Sequence, residues 1–436
     1  MKRKLLGVID SDSYAKWGAA LLSRLDRDAW QVDLTVVGSR PAASAGQLAS
    51  ALVGTAFQAD AVPRATLPEI LDRLGREAYD AVFVSTSGAV AEAVITEITM
   101  KIRPRPVLLT GLPGISSPAK YKGIFRRAQA DLFVLHSHRE IREHRELVAA
   151  RGMTHNFVLA TLPFLEQLQT AGAAAPGRRD SIVFAAQPGV PWHLEERQAM
   201  AARLVEAARA NPGLRVVLKV RALPGELQTH REKYPYPDLL PAGRPANLVV
   251  EAGPMSEHLA RAVGFVTVSS TAAIEAIAAH VPSIVLTDFG VSGPMINTVF
   301  IGSNLLASSD ELVAARFREV DPAWRQDNYF HDPAENNWQQ QLDALAALRD
   351  VGALPDRPAQ RTSSGGALRR AWDRKRAFGE HDHTALGYLA ATIGYPMLYA
   401  RRLLTSLRSP ASAAPVIDET NDEATEGQVT AHAGRE

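Results

Sequence analysis

The chain has 436 residues, 46% of them apolar, which suits two folded domains with sizeable cores and some additional segments. Its 48 basic and 47 acidic residues leave a net charge of +1, which removes any general electrostatic case for nucleic-acid binding. Cysteine is absent, which excludes disulfides, thiolate catalysis and Cys-ligated zinc or iron–sulfur sites. The basic start, MKRKLLGVIDSDS, has too short an apolar run for a signal peptide. No stretch supplies the roughly 20 apolar residues of a clear transmembrane helix. These features fit a cytoplasmic chain.

The elements alternate from the start. Residues 5–9 read as a strand that ends in Asp10-Ser11-Asp12-Ser13, and 14–25 as a helix. Strands follow at 30–37, 81–84, 107–110, 132–135 and 157–160. Helices at 67–76, 89–101 and 137–151 lie between them. This alternation predicts a doubly wound parallel sheet. Residues 169–180 are small, flexible and polar, and read as a linker. A second series begins with a strand at 182–185, a helix at 193–210, strands at 215–220 and 248–251, and a helix at 255–263. The expected fold class is therefore α/β, with domains at 1–168 and 181–348. Between two such halves we expect a cleft, with ligands beyond the carboxyl ends of the strands.

The second series contains the most informative stretch, GFVTVSSTAAIEAIAAHVPSIVLTDFG at 264–290. It reads as strand, hydroxyl-rich turn, helix, strand. Ser269, Ser270 and Thr271 stand where free N–H groups and a helix dipole make an anion site. Glu275 follows one helical turn later, able to point back at the same pocket. Helix capping also explains part of this pattern. Lys219 and Arg221 end the 215–220 strand on one side of the chain and suit a phosphate or carboxylate.

Other positions are candidates for lining the cleft. Asp10 and Asp12 follow the first strand, where a carboxylate could take a proton from an acceptor hydroxyl. Capping by Asp12 or Ser13 is the alternative. Gly111 and Gly114 lie in a loop that leaves a strand end. His136 follows the next strand, and His230 belongs to the loop beyond Arg221. Asp288 and Asn297 are placed to contact a sugar or base. No GxGxxG is present, so a dinucleotide site is not supported. Neither a metal nor a cofactor is called for, since cations and a helix dipole can stabilise a departing phosphate.

Beyond residue 348 the chain changes character. Residues 349–408 read as a helical extension, with a largely apolar stretch at 384–407 that ends near Arg401-Arg402. It either packs back on the domains, with Gly394 and Pro396 marking a bend, or makes a peripheral membrane contact. The second option would put the protein at the inner face of the membrane. Residues 409–436 are acidic, with no core-forming pattern, and are expected to be disordered.

The motifs VSSTAAIEAIAAHVP, LKVRALPGE and DSDSYAKW resemble those of GT-B type glycosyltransferases. The similarity is greatest to bacterial capsule-polysaccharide, polysialyl and glycerophosphate transferases, and to an uncharacterised actinobacterial group of glycosyltransferase-like proteins. It covers about residues 4–338. The resemblance implies two Rossmann-like domains facing a cleft, with a helix returning across the first. It implies that Ser269, Ser270 and Thr271 bind the donor's nucleotide phosphates. Such families carry a His-Pro pair after a Lys-containing strand. Here Lys219 is kept and Arg221-Ala222 stands in that place, leaving Arg221 as the substitute. The family's acidic base corresponds loosely to Asp10 or Asp12.

The expected activity is metal-independent, inverting transfer of a sugar from a nucleotide-sugar donor to an envelope or capsule-type glycan or lipid-linked glycan. A nucleotide-sugar 2-epimerase and a non-catalytic sugar-nucleotide-binding scaffold are the alternatives.

Overall fold

The computed structural model describes residues 2–39, 43–163, 165, 179–187, 189–220, 233–357 and 366–408, the last eight by backbone alone. Arg221, His230, most of the expected linker and the 409–436 tail lie outside the described residues.

Strand β1 (Arg3–Ile9) turns Leu5 and Ile9 into one apolar cluster and Leu6 and Val8 into another. All four are buried, as in a parallel strand covered on both faces. Gly7 lies between Leu5 and Ile9, where a Cβ would meet Leu22 and Leu34 at 2.7 Å. Its bareness lets helix α1 (Asp12–Leu22) lie close to the sheet. The sheet is completed by β2 (Trp30–Val37), β3 (Arg64–Ala65), β4 (Ala81–Ser85), β5 (Val107–Gly111), β6 (Leu132–Leu135) and β7 (Phe157–Leu159). It is parallel throughout, in the order β3-β2-β1-β4-β5-β6-β7.

Helices α1 and α2 (Ala45–Leu52) bury their apolar stripes on one face. The opposite face takes α3 (Leu67–Arg76) and α4 (Gly88–Lys101). Near β6 and β7, α5 (Tyr121–Phe125) and α6 (His138–Ala149) enclose a smaller aromatic cluster around Phe133 and Phe157.

A second parallel sheet is formed by β8 (Ser181–Ala185), β9 (Arg215–Lys219), β10 (Leu248–Glu251), β11 (Ala262–Thr267), β12 (Ser283–Leu286) and β13 (Leu306–Ala307). Its order is β10-β9-β8-β11-β12-β13. Apart from the extra outer strand of the first sheet, the two orders are the same. The first strand sits centrally, the next two run to one side, and the fourth starts the other side. Helix α7 (Leu194–Ala210) drives Met200, Leu204 and Ala208 into the core of this sheet. Shorter helices are α8 (Tyr236–Leu239), α9 (Met255–Ala260), α10 (Ala272–Ala278), α11 (Ser309–Val313) and α12 (Pro322–Asp327).

The chain up to Pro163 and again from Asp332 forms one compact unit, and the intervening stretch to His331 forms the other. Helix α13 (Trp338–Asp350) places Trp338, Leu342 and Ala346 in the cluster of Leu5 and Trp30. Trp30 donates its indole N–H to Asp343 at 2.9 Å, and Arg349 pairs with Asp80 at 2.7 Å. Helix α14 (Gly366–Phe378) packs on α4, with Arg374 on Glu97 at 3.1 Å. Helix α15 (Ala385–Arg408) lies against α14 and runs through Pro396 as one helix. At Gly394 a Cβ would meet the Trp372 ring at 2.4 Å, so the glycine provides for helix contact. The two doubly wound α/β domains and the helical extension expected from the sequence are all present.

Candidate active site

In the first sheet the strand order reverses between β1 and β4, and the loops there form the first candidate patch. Asp10 leaves β1 with 0% exposure. Its Oδ2 accepts the Ser87 N–H at 2.8 Å, and its Oδ1 accepts the Ser11 hydroxyl at 3.0 Å. Burial pushes its pKa above the usual carboxylate value, and the hydrogen bonds from Ser87 and Ser11 offset part of that rise. Asp10 is thus a buried strut between two turns, closed to substrate. Asp12 opens α1 and is half-buried, its carboxylate accepting the Ser13 N–H at 2.7 Å. Ser13 is exposed beside it.

His136 is fully buried and has both ring nitrogens bonded. Nε2 accepts the Trp17 indole N–H at 2.7 Å, and Nδ1 lies 2.7 Å from the Ala160 carbonyl. It is a core histidine with a fixed tautomer and lines no open site. Gly111 serves the same packing: a Cβ there would stand 2.5 Å from the Val134 carbonyl and 2.7 Å from Trp17. Gly114 adopts φ +74° in the following loop. That loop is anchored by α6, whose Glu140 accepts the Ser116 N–H at 2.7 Å and whose Glu143 accepts the Ser117 hydroxyl at 2.9 Å.

The second sheet reverses between β8 and β11. Ser269 is buried and donates its hydroxyl to the Gln187 side chain at 2.6 Å. Ser270 is half-exposed, and its Oγ accepts the Ala272 N–H at 3.2 Å. Thr271 is exposed and makes no side-chain cap. The three hydroxyls therefore grade from structural to open. Lys219, at the end of β9, is 8% exposed and donates to the Val220 carbonyl at 2.6 Å. The Ala186 N–H bonds the Lys219 carbonyl at 3.0 Å, so the tail of β8 joins the ends of β9 and β11. Glu275 is half-buried on α10.

Two expected contacts are spent elsewhere. Asn297 is fully buried, accepting the Ser292 N–H at 3.1 Å and donating to the Gly290 carbonyl at 3.0 Å. Asp288 caps α11 by accepting the Ser309 N–H at 2.9 Å and the Ser309 hydroxyl. Among the described residues, no three His, Asp or Glu side chains are grouped to hold a metal ion. No described helix is long and apolar enough to cross a membrane.

Sequence reasoning passed over two elements of the first patch: the turn Ser85-Thr86-Ser87 and the adjacent Arg126 and Arg127. Arg127 donates to the Tyr14 hydroxyl at 3.0 Å and to the Thr86 carbonyl at 2.8 Å. One signal was available, since β4 runs out through Val84-Ser85-Thr86-Ser87 as β11 runs out through Val268-Ser269-Ser270-Thr271.

The model of the family described as "Putative glycosyltransferase (DUF6716)" matches residues 5–345, and the chain belongs to that family. No curated protein matches the sequence. Among solved structures, a "putative UDP-N-acetylglucosamine 2-epimerase from Listeria monocytogenes" is similar at 15% identity and TM-score 0.52, covering 82% of this chain and 98% of that one. Arabidopsis thaliana UGT89C1 complexed with UDP-L-rhamnose is similar at 14% identity and TM-score 0.52, covering 80% and 99%. UDP-GlcNAc 2-epimerase from Neisseria meningitidis bound to UDP-GlcNAc is similar at 12% identity and TM-score 0.50, covering 79% and 100%. At these identities the likeness establishes a shared GT-B-like fold.

Proposed function

Starting from membership of a glycosyltransferase family, we propose that the protein moves a sugar from a nucleotide-activated donor to an envelope or capsule-type glycan, or its lipid-linked form. The observation that carries this reading is the graded hydroxyl turn Ser269–Thr271 at the reversal point of the second sheet. Solved structures of similar fold hold UDP-L-rhamnose and UDP-GlcNAc, which supports a nucleotide-sugar donor. Ser270 and Thr271 take the donor phosphates, Lys219 and Arg221 add positive charge, and Glu275 holds the ribose or the loop.

The transfer inverts the anomeric centre. Asp12 accepts the proton of the acceptor hydroxyl, and that oxygen attacks the anomeric carbon. The bond to the phosphate oxygen breaks, and the nucleotide leaves with the electron pair. Cations and hydroxyls meet its charge, so no metal is required. Asp10 acts by positioning the turns beside Asp12.

The work is done at the inner face of the membrane. Leu386, Leu389, Ile393 and Met397 stand exposed along α15, and Tyr388, Tyr395 and Tyr399 are exposed on the same helix. On the neighbouring α14 the exposed Arg369, Arg370 and Arg376 favour an anionic lipid surface, while Arg374 is spent on Glu97 and Asp382 and the buried Lys375 on the Asp382 carbonyl.

An epimerase is the second reading, favoured by two of the solved structures named above. Thermal stabilisation by CMP, CDP, UDP, GDP and dTDP tests the donor site. A ligand at a hundredfold excess over its Kd stabilises by about 2.7 kcal/mol. One nucleotide should do so in the wild type and not in Ser270→Ala with Thr271→Val. Interconversion of the matching free nucleotide sugar, with no acceptor present, would favour the epimerase.

A further inference from the structure

We infer that the second unit carries a binding site for a short aliphatic carboxylate, in a cavity at the foot of β12 and β13. The site is separate from the donor turn and does not depend on the proposed function.

The cavity measures about 120 Å³ and lies at the amino-terminal ends of β12 and β13. Ser269–Thr271 follow the carboxyl end of β11, which runs parallel to β12, so the donor turn is at the other end of the sheet. Backbone bonds frame the cavity. Ser283 and Arg318 exchange N–H to carbonyl bonds at 2.8 and 3.2 Å, and the Asp321 N–H bonds the Ser303 carbonyl at 2.9 Å. His280 turns the chain from α10 toward β12 in the left-handed region, at φ +53°. The walls are therefore held without help from a ligand.

Ile277, Val281, Leu305, Val320 and Pro322 give the cavity an apolar lining. The Ser283 hydroxyl adds nothing polar, since it is spent on the Val281 carbonyl at 2.8 Å. An apolar cavity of about 150 Å³ takes benzene, so this one admits a ligand of about six non-hydrogen atoms.

Arg325 distinguishes this cavity from a packing defect. It lines the cavity together with Pro322, three residues earlier on the same face of α12. Arg325 is half-buried, and its Nε is covered and has no hydrogen-bond partner. Among the described residues its guanidinium makes no hydrogen bond or ion pair. The guanidinium stands over the Phe330 ring, 5.0 Å from the centroid, which offsets only part of the lost hydration. The other charges of the lining are committed or open to water. Arg318 donates from Nη1 to the Leu306 carbonyl at 2.9 Å, and its Nη2 lies 3.8 Å from Glu311. Glu319 and His280 are exposed. A carboxylate matches the planar fork of Arg325, and an alkyl chain matches the apolar walls. Glu319 opposes a second negative charge, so a monoanion fits better than a dicarboxylate or phosphate. Butyrate has the size and both parts.

The test is methyl NMR of the full chain, labelled at Ile, Leu and Val and titrated with butyrate, butylammonium, succinate and inorganic phosphate. Butyrate should shift the methyls of Ile277, Val281, Leu305 and Val320 saturably, with a Kd of about 1 mM, and the other three probes should bind more weakly. Arg325→Met removes the charge but no hydrogen bond. It should keep the melting temperature and weaken butyrate by about tenfold or more. Val320→Phe fills the space with Arg325 in place and should also exclude butyrate. No saturable shift at these four residues, or unchanged butyrate affinity in both variants, overturns the site. Butylammonium, succinate or phosphate binding as tightly as butyrate overturns the assignment to a monocarboxylate.

Discussion

Asp10 accepts the backbone N–H of Ser87 at 2.8 Å, and this one bond ties the end of β1 to the turn that starts α4. Asparagine at this position can serve the Ser87 side or the Ser11 side, never both. Asp10→Asn should therefore cost about 1–3 kcal/mol, read by urea unfolding. The sign of its pH dependence follows from burial, which raises the folded pKa above 3.8. The folded state then holds the proton more tightly than the unfolded chain. Stability linked to Asp10 is full below that value and is lost as pH rises through the folded pKa. The gap between wild type and Asp10→Asn should shrink across that window.

His155 gives the opposite slope. Its ring stacks on Phe157 and meets Phe133 edge-on, and burial pushes its pKa from 6.5 down to about 4. Folding favours the neutral ring, so this stability is present above pH 6.5 and is lost as pH falls toward 4. The wild type should lose about 3 kcal/mol over that interval, a loss that His155→Phe removes.

The Trp17–His136 bond is a matched buried pair. His136→Phe leaves the indole N–H and the Ala160 carbonyl unpaired and should cost about 2–5 kcal/mol. Trp17→Phe in that background should cost less than it does alone, because the orphaned donor is gone. A double-mutant cycle by chemical denaturation reads the coupling.

Gly111→Ala forces a methyl onto a backbone carbonyl and the Trp17 ring. Neither can withdraw cheaply, since both lie in the core. We expect a loss of about 3 kcal/mol, checked by thermal unfolding.

Asp12→Asn tests the chemistry. It should lower kcat by about 10²–10⁴ with little change in stabilisation by nucleotide. Equal activity of the variant would remove Asp12 as the base.

Both sheets were legible because β-branched runs bounded by Gly, Pro and polar turns mark buried parallel strands. The strands Trp30–Val37, Leu132–Leu135 and Leu248–Glu251 have the bounds that the pattern indicates. The helix expected at 255–263 stops at Ala260 because the edge of β11 begins at Ala262. Helix α2 was passed over, since its stripe of Leu48, Ala51 and Leu52 is short and weak. Side-chain roles were harder to read. The sequence shows that Asn297 and His136 follow strands, but their partners, Gly290 with Ser292 and Trp17 with Ala160, are chosen by the fold. Arg127 was unreadable for the same reason, as its partner Tyr14 lies 113 residues away.

The return of α13 to the first sheet sets the order in which the chain can mature on the ribosome. The cluster around Leu5 and Trp30 needs Trp338, Leu342 and Ala346 to be covered. The whole stretch of the second unit that ends at His331 leaves the ribosome before those three do. The domain that begins first is therefore finished last, and its apolar face waits for a helix synthesised more than 300 residues after Leu5. At about 5–20 residues per second the wait lasts tens of seconds, an interval in which a chaperone, or a stop codon near residue 331, decides the fate of the nascent protein.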